Sequence, residues 1–374
     1  VCGQRNKRIE GSQIELNKVY QIDCMELMRD LPDESIDLIV SSPPYNLGKE
    51  YESRKALDVY LQKQKEVLAE CTRILRSSGS IFWQVGAYSD SGILIPLDIK
   101  YFPILESLGL LPRNRIIWIR QHGLHAKRKF SARHETILWF TKSDEYTFNL
   151  DQIRVPQKYG NKKHWRGPNK GKLSGNPKGK NPGDIWLFRN VKHNHEERTI
   201  HPCQFPEDMI ARIILATTNE GDIVFDPYMG AGTVAVVARD LQRNFLGAEI
   251  DPRYHEVITR RLECRPNEDG SFASLKCLRD YVDATGEPIE NFSYDTQRKG
   301  TTPTRRGQSR IYSEQYHLQA LLCRLAYEED WFAAKLRGED PPDKEDYAVP
   351  HKESFRMTYS ANSMPLFEDK PEES

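Results

Sequence analysis

Several things are missing from these 374 residues. No stretch approaches the ~18 continuous apolar residues of a membrane-spanning helix. The first residues show neither the basic start nor the apolar core of a secretory leader, so a cytoplasmic protein is expected. The chain opens at Val1 rather than methionine, as a trimmed or processed chain would. Its seven cysteines (Cys2, Cys24, Cys71, Cys203, Cys264, Cys277, Cys323) are scattered, and none is spaced with histidine in a zinc pattern. Reduced thiols in a cytosolic protein are therefore expected, and no metal is. An excess of either charge is also absent, since 54 basic residues balance 54 acidic ones. That excludes a globally basic nucleic-acid binder but leaves room for a local basic face. There are no internal repeats.

What is present has the length for one large α/β domain plus an appendage, or for two modest domains. "VYQIDCMELMRDLPDESIDLIVSSPPY" reads as strand, short helix, strand. "ALDVYLQKQKEVLAECTRILRSSGSIFWQVG" follows as an amphipathic helix, a Ser-Gly turn and a strand, with Leu61, Val67, Leu68, Cys71, Ile74 and Leu75 at roughly helical spacing. "ILIPLDIKYFPILESLGLL" is mixed and includes a helix. "NRIIWIRQHGLHAKRKFSARHETILWFTK" predicts a hairpin-like strand pair around a long basic loop. Composition then shifts. Residues 151–183 hold six glycines and four prolines without an apolar period, and Arg154 to Lys180 carries nine Lys/Arg and no acid, which is loop chemistry with concentrated positive charge. Order returns at "PGDIWLFRN" and in a βαβ half from "FPEDMIARII" to "FLGAEID". Beyond residue 265 only "SEQYHLQALLCRLAYEEDWFAAKLRG" predicts a helix.

Two short stretches carry chemistry. In "VFDPYMGAGT" the glycines Gly230 and Gly232 sit at a strand-to-helix turn, where a ligand can approach backbone amides. Asp226 closes the strand before the turn, and Glu249 lies about 20 residues further on, at the ribose-binding position of Rossmann-like folds. The third glycine of the dinucleotide fingerprint is replaced by Ala235, and Asp226 would repel a pyrophosphate. NAD is thereby disfavoured. A ribose with a cationic or zwitterionic tail fits better, and S-adenosylmethionine is the candidate. The second stretch ends the strand Ile36–Val40 in Ser42-Pro43-Pro44-Tyr45. Proline ends a strand and fixes a carbonyl that has no competing N–H. A cytosine or adenine amine is a poor nucleophile because its lone pair is delocalised. Acceptors such as the Ser42 hydroxyl and the Pro43 carbonyl would hold its two hydrogens, and Tyr45 would stack on a flipped base. Taken alone, the same four residues more often make an ordinary proline turn.

Together the two stretches resemble the amino-methyltransferases of DNA. Ser42-Pro43-Pro44-Tyr45 matches that family's catalytic motif, and Asp226-Pro227-Tyr228-Met229-Gly230-Ala231-Gly232-Thr233 matches its cofactor motif. The order of the motifs is similar to the permuted beta arrangement, and the resemblance spans roughly residues 14–262. It implies a Rossmann-like methyltransferase fold: a mostly parallel seven-stranded sheet with helices on both faces, a recognition insert and a small helical C-terminal region. The implied segments are a catalytic half (14–150), a basic recognition insert (151–195), a cofactor half (196–264) and an extension (265–374). His201 and Pro202 match the segment that helps to bind the methionine end of the cofactor, with Pro206 alternatively at the first turn of a helix. Asp23 and Cys24 match the segment that reaches its adenine, and Asp23 reads equally as a helix cap. Phe130 is the expected base-pocket ring beside Tyr45, with a buried core phenylalanine as the other reading.

The implied partner is double-stranded DNA, with a homodimer and a cognate restriction endonuclease as further expectations, and the nucleoid as the location in a bacterium. Lys158, Lys162, Lys163, Arg166, Lys170 and Lys172 are phosphate-contact candidates, and Trp165 with Arg166 is suited to reading or wedging bases. Lys127, Arg128 and Lys129 would grip the flipped strand. Serine in the first motif position goes, by resemblance, with N4-methylcytosine, and N6-methyladenine remains the alternative. A non-catalytic DNA-binding relative and an RNA methyltransferase are the more distant readings.

Overall fold

The computed structural model describes residues 8–263, apart from 10, 12, 49–52, 91, 121–125, 156–161, 177, 189 and 192–196, together with residues 325–343. In chain order the elements are β1 (Lys18–Tyr20), α1 (Cys24–Arg29), β2 (Ile36–Ser41), α2 (Leu57–Ile74), β3 (Leu75–Val85), β4 (Ala87–Asp90), β5 (Ile93–Pro96) and α3 (Leu97–Ser107). Then come β6 (Leu111–Ile119), β7 (His134–Thr141), α4 (Leu150–Ile153), β8 (Ile185–Trp186), α5 (Glu207–Thr217), β9 (Ile223–Asp226), α6 (Thr233–Asp240), β10 (Asn244–Ala248) and α7 (Pro252–Glu263).

One sheet in the order β1-β10-β9-β2-β3-β7-β6-β8 organises the chain, and β4 and β5 form a separate antiparallel pair. It has eight strands where seven were expected. Its edge member β8 lies within the segment assigned to the recognition insert, so that segment returns to the sheet before residue 195. The sheet is mostly parallel: only β3 with β7 and β7 with β6 run antiparallel. The latter is the hairpin-like pair read from sequence.

Side-chain alternation explains why both faces are covered. Along β7, Ile137 and Trp139 enter one core while Leu138 and Phe140 enter the other. Leu38 and Val40 of β2 share the first core, and Ile39 belongs to the second. A strand with apolar residues on both faces needs helices on both faces. Helices α1, α2 and α3 cover one side, and α5, α6 and α7 cover the other. In α2, Tyr60, Gln64, Val67, Leu68, Cys71 and Ile74 are buried at helical spacing, whereas Leu61 is only half-buried. Leu75 is extended and opens β3, which ends the helix one residue before the predicted period runs out. Pro206 caps α5 from outside rather than occupying its first turn. No described helix is long and apolar enough to cross a membrane.

Residues 325–337 form a helix that docks against α5. Phe332 is fully buried there and joins the core under α5 and α6. Arg212 of α5 donates to Glu329 at 2.9 Å, and both side chains are almost wholly buried. The guanidinium lies 4.7 Å from the Phe188 ring and 4.6 Å from that of Phe332. Glu329→Leu is therefore expected to strand the Arg212 charge. A loss of ~3–5 kcal/mol should appear as a lower urea midpoint with an unchanged m-value.

Candidate functional site

Strands β2 and β9 lie side by side, with Leu38 opposite Val224 and Ile39 opposite Phe225. From this pair the sheet continues to β3 on one side and to β10 on the other. Such a topological switch leaves a crevice at the carboxyl ends of the strands. A cleft of about 550 Å3 opens there, and the two turns singled out from the sequence both line it.

The turn after β9 is built around two buried carboxylates. Asp226 accepts from Ser41 Oγ at 2.6 Å and from the Tyr228 amide at 2.9 Å. It is 1% exposed and does not line the cleft. Burial pushes its carboxyl up to about 7. Asp226, expected among the cofactor residues, spends its side-chain hydrogen bonds on neighbouring protein and joins β9 to β2. Glu249, just past β10, accepts from the Gly230 amide at 2.7 Å and from the Asp251 amide at 2.9 Å, and it does line the cleft. Burial raises its carboxyl as well.

The two glycines of this turn differ in role. A Cβ on Gly230 would sit 3.2 Å from the His201 ring, so the backbone approaches that ring closely at the cleft wall. Gly232 has φ +77°, and a Cβ there would meet Ile258 at 2.8 Å. It serves the packing of α7 and does not line the cleft, contrary to its predicted place among the cofactor residues. Arg261 of α7 donates to the Ala231 carbonyl and to Thr233, and pairs with Glu207 at 2.6 Å, so the turn is held from behind.

The other predicted cofactor residues converge on the cleft: Asp23 and Cys24, His201 and Pro202, and Pro227, Tyr228 and Thr233. Asp23 also caps α1 by accepting from the Met25 amide at 2.8 Å, as the helix-cap reading expected. Burial pushes the Cys24 thiol up to about 12, which keeps it protonated. His201 packs edge-on against Tyr254, with ring centres 4.5 Å apart.

Ser42, Pro43, Pro44 and Tyr45 form the adjoining wall. The Pro44 carbonyl accepts from Tyr60 at 2.7 Å, and Tyr60 shares a 2.6 Å hydrogen bond with Tyr101. Asn46, almost wholly buried, clasps Lys55 by accepting from its amide at 2.6 Å and donating to its carbonyl at 2.7 Å. The elbow is thus fixed at both ends. Tyr45 rests against Gly86, where a Cβ would meet its ring at 2.9 Å. Its hydroxyl accepts from Ser42 at 3.1 Å and donates to Gln84 at 2.7 Å.

Phe130 is fully exposed and lies outside the cleft, so it is not placed as the base-pocket ring. Trp118 and Phe205 are aromatic residues that do line it. The basic candidates Lys127, Arg128, Lys129, Lys162, Lys163, Arg166, Lys170 and Lys172 are all exposed. Lys158 lies outside the described residues. Residues 162–174 make a small hairpin through the Lys163–Leu173 bridge, with the His164 amide donating to the Lys172 carbonyl at 2.9 Å. Trp165 on it is 80% exposed, and the Arg166 guanidinium lies 5.3 Å from its ring.

Sequence reasoning missed Lys63, Gln84, Arg120, Glu135 and Tyr254, all of which line the cleft. A glutamine inside the apolar run "IFWQVG" was a usable signal, because a buried amide needs partners. Lys63 carried none, since on an amphipathic helix it reads as part of the solvated face.

The buried carboxylate beside a tight turn and the half-buried polar elbow adjoin the switch-point crevice, which is where an open α/β sheet places a ligand site. Comparison with known proteins agrees. The sequence pattern of the DNA methylase family matches residues 36–260. Type II methyltransferase M.BglII of Bacillus subtilis is 54% identical over 316 residues, covering 84% of this chain and 87% of that protein. The DNA adenine methyltransferase YhdJ of Escherichia coli is 34% identical over 254 residues, covering 67% and 83%. Among solved structures, the cytosine-N4-specific PvuII DNA methyltransferase aligns over 72% of this chain and 95% of that one, with a TM-score of 0.54 and 17% identity, and shares the fold. The chain belongs to the DNA methylase family and is an S-adenosylmethionine-dependent DNA methyltransferase.

The joint at Asp226 has a consequence for stability. A carboxyl near 7 in the folded protein against 3.8 ordinarily favours the protonated form on folding. Its contribution is complete below the ordinary value and is lost as pH rises through the folded one. Between about pH 5 and pH 8 the cofactor-free wild type is expected to lose ~2 kcal/mol more stability than Asp226→Asn. Urea titrations at several pH values check this, and parallel curves for the two proteins would remove Asp226 as the source.

Proposed function

We propose that the enzyme methylates the exocyclic N4 amine of cytosine, flipped out of duplex DNA within a specific sequence. The observation that carries this reading is Ser42: a neutral hydroxyl, tethered by Tyr45, at the first position of the catalytic elbow. By resemblance, serine at that position accompanies cytosine. The second reading is adenine N6, favoured by the likeness to an adenine methyltransferase over two thirds of the chain. Both amines present two hydrogens, so the same acceptors serve either base.

In this reading Glu249, His201, Asp23 and the Pro227–Gly230 turn hold S-adenosylmethionine. The buried Glu249 carboxylate suits ribose hydroxyls, and the bare backbone at Gly230, facing His201, lets a ligand come close to the main chain. Bound there, the cofactor supplies an electrophilic methyl group. The protein's part is to prepare the nucleophile. The Pro43 carbonyl and Ser42 Oγ each accept one amine hydrogen, which draws the nitrogen lone pair out of conjugation with the ring. Tyr60 keeps the prolines from drifting by its bond to the Pro44 carbonyl. As the nitrogen becomes tetrahedral its proton grows acidic and leaves to water, without a covalent enzyme intermediate.

The exposed hairpin 162–174 and Lys127–Lys129 are assigned to DNA. Lysines there neutralise phosphates, and Trp165 offers a flat apolar surface to an unstacked step. The type II character of its relatives supports a reading in which it works on nucleoid DNA in the cytoplasm beside a cognate endonuclease.

Two outcomes are expected. Incubation with S-adenosylmethionine and unmethylated mixed-sequence DNA, then nucleoside digestion and mass spectrometry, should yield N4-methylcytosine. N6-methyladenine would reverse the base assignment and keep the mechanism, whereas neither product, with cofactor binding intact, would favour RNA or a purely binding role. Replacing Lys163 and Lys170 by alanine should weaken binding evenly across sequences. It should also flatten the dependence of log K on log salt by ~0.9 for each phosphate no longer neutralised.

A further inference from the structure

A line of polar contacts leaves the catalytic elbow and crosses three neighbouring strands. Ser42 Oγ donates to the Tyr45 hydroxyl at 3.1 Å, and that hydroxyl donates to Gln84 Oε1 at 2.7 Å. Gln84 Nε2 donates to Glu135, and Glu135 pairs with Arg120 at 2.8 Å. Gln84 lies on β3, Glu135 on β7, and Arg120 just beyond β6; the Arg120 amide donates to the Arg133 carbonyl at 2.7 Å.

The chemistry of the members sets the direction of this line. An ionised carboxylate only accepts and a guanidinium only donates. With Arg120 on one oxygen of Glu135, the other oxygen takes a donor, and the Gln84 NH2 is the donor that reaches it. That decides which end of the amide faces which neighbour, independently of how its oxygen and nitrogen would be told apart by shape. The Gln84 carbonyl therefore faces Tyr45. Burial holds the phenol protonated, and its single proton is committed to Gln84. Its oxygen can offer Ser42 only lone pairs, so Ser42 directs its own proton to Tyr45. What remains on Ser42 Oγ toward the cleft is acceptor capacity alone.

We infer that Gln84 and Glu135 are positioning residues that make Ser42 an obligate hydrogen-bond acceptor, so that the pocket takes a base edge bearing an amine and rejects one bearing a carbonyl at the same place. The inference rests on the reading of Ser42 as the group that meets the target amine. It adds a physical source for discrimination: a carbonyl oxygen opposite Ser42 would leave two acceptors facing each other without a proton between them, which costs free energy in a dry site.

The test uses the full-length enzyme, S-adenosylmethionine and its DNA substrate. Gln84→Leu is expected to slow single-turnover methyl transfer by about 10- to 100-fold, while the dissociation constants of cofactor and DNA change by less than about threefold. Gln84→Glu places a carboxylate against Glu135 and should be similarly slow. The double exchange Gln84→Glu with Glu135→Gln restores the direction of the line. The amide now on β7 would donate to the carboxylate now on β3, and that carboxylate would accept from Tyr45. This variant is expected to recover most of the rate. A merely structural role would not be rescued by exchanging the two residues. DNA with the target amine replaced by a carbonyl (uracil for cytosine, hypoxanthine for adenine) should bind the wild type less well than the normal site, and Gln84→Leu should narrow that ratio. A fast Gln84→Leu enzyme, or a double exchange as slow as Gln84→Glu alone, would overturn the inference provided Ser42→Ala is slow. A Ser42→Ala enzyme as fast as wild type would instead bring down the reading of Ser42, and the inference with it.

Discussion

The hydrogen bond between Ser41 and Asp226 is the contact on which the site depends. Two strands far apart in sequence, β2 and β9, end side by side, and this 2.6 Å bond ties their last residues. Everything that follows each strand then has a defined starting point: the Ser42–Tyr45 elbow on one side, the Pro227–Gly232 turn on the other. Asp226 also accepts from the Tyr228 amide, so the same carboxylate sets the first step of the turn. A buried carboxyl with two donors is a costly device, and burial raises its pKa to about 7. Such local tension is commonly kept where a site must be held in one geometry.

Rigidity behind the cleft comes from the sheet. Its central strands are apolar on both faces, and helices seal each face, so the strand ends cannot shift independently. Loops then carry the chemistry on a scaffold that stays still. Successive layers of hydrogen bonding add to this. Tyr60 fixes Pro44, Asn46 clasps Lys55, and Arg261 reaches the Ala231 carbonyl from α7. The C-terminal helix extends the same logic to the other end of the sheet. Lys180, at the foot of the basic segment, lies 2.7 Å from Glu328, and Lys335 reaches the Gln152 carbonyl. The segment that bears the exposed hairpin is therefore anchored where it leaves the core, while its tip with Trp165 stays in solvent.

Much of this was legible because the signals are local. Proline after a β-branched run ends a strand wherever it occurs, so the elbow at Ser42–Tyr45 could be placed from composition alone. The helical period of α2 and the amphipathic pattern of residues 313–338, of which 313–324 lie outside the described residues, are likewise properties of neighbouring residues. Glu249 could be located at the cleft because a Rossmann-like half fixes its distance from the glycine turn. The residues that the structure places away from the cleft have a common form. Asp226 and Gly232 sit in the cofactor motif but turn toward protein, and no spacing distinguishes a carboxylate aimed at a ligand from one aimed at a neighbouring serine. Phe130 was assigned by resemblance to the family's strand pair around the base pocket, and a side chain in the loop before β7 is not fixed by the period of that strand.

The sequence by itself determined the class of fold, the two turns that line the cleft and the kind of cofactor, since each depends on residues close together in the chain. Only the tertiary structure decided which of those residues face the cleft. It also decided that Gln84 of β3, Glu135 of β7 and Arg120, just beyond β6, meet behind Tyr45. That meeting is a matter of strand order and register: β7 lies between β3 and β6, and the pairing of Trp118 with Glu135 brings the arginine's end of β6 to the glutamate. Register is set by how whole faces bury against helices, a sum over many residues that no short stretch contains.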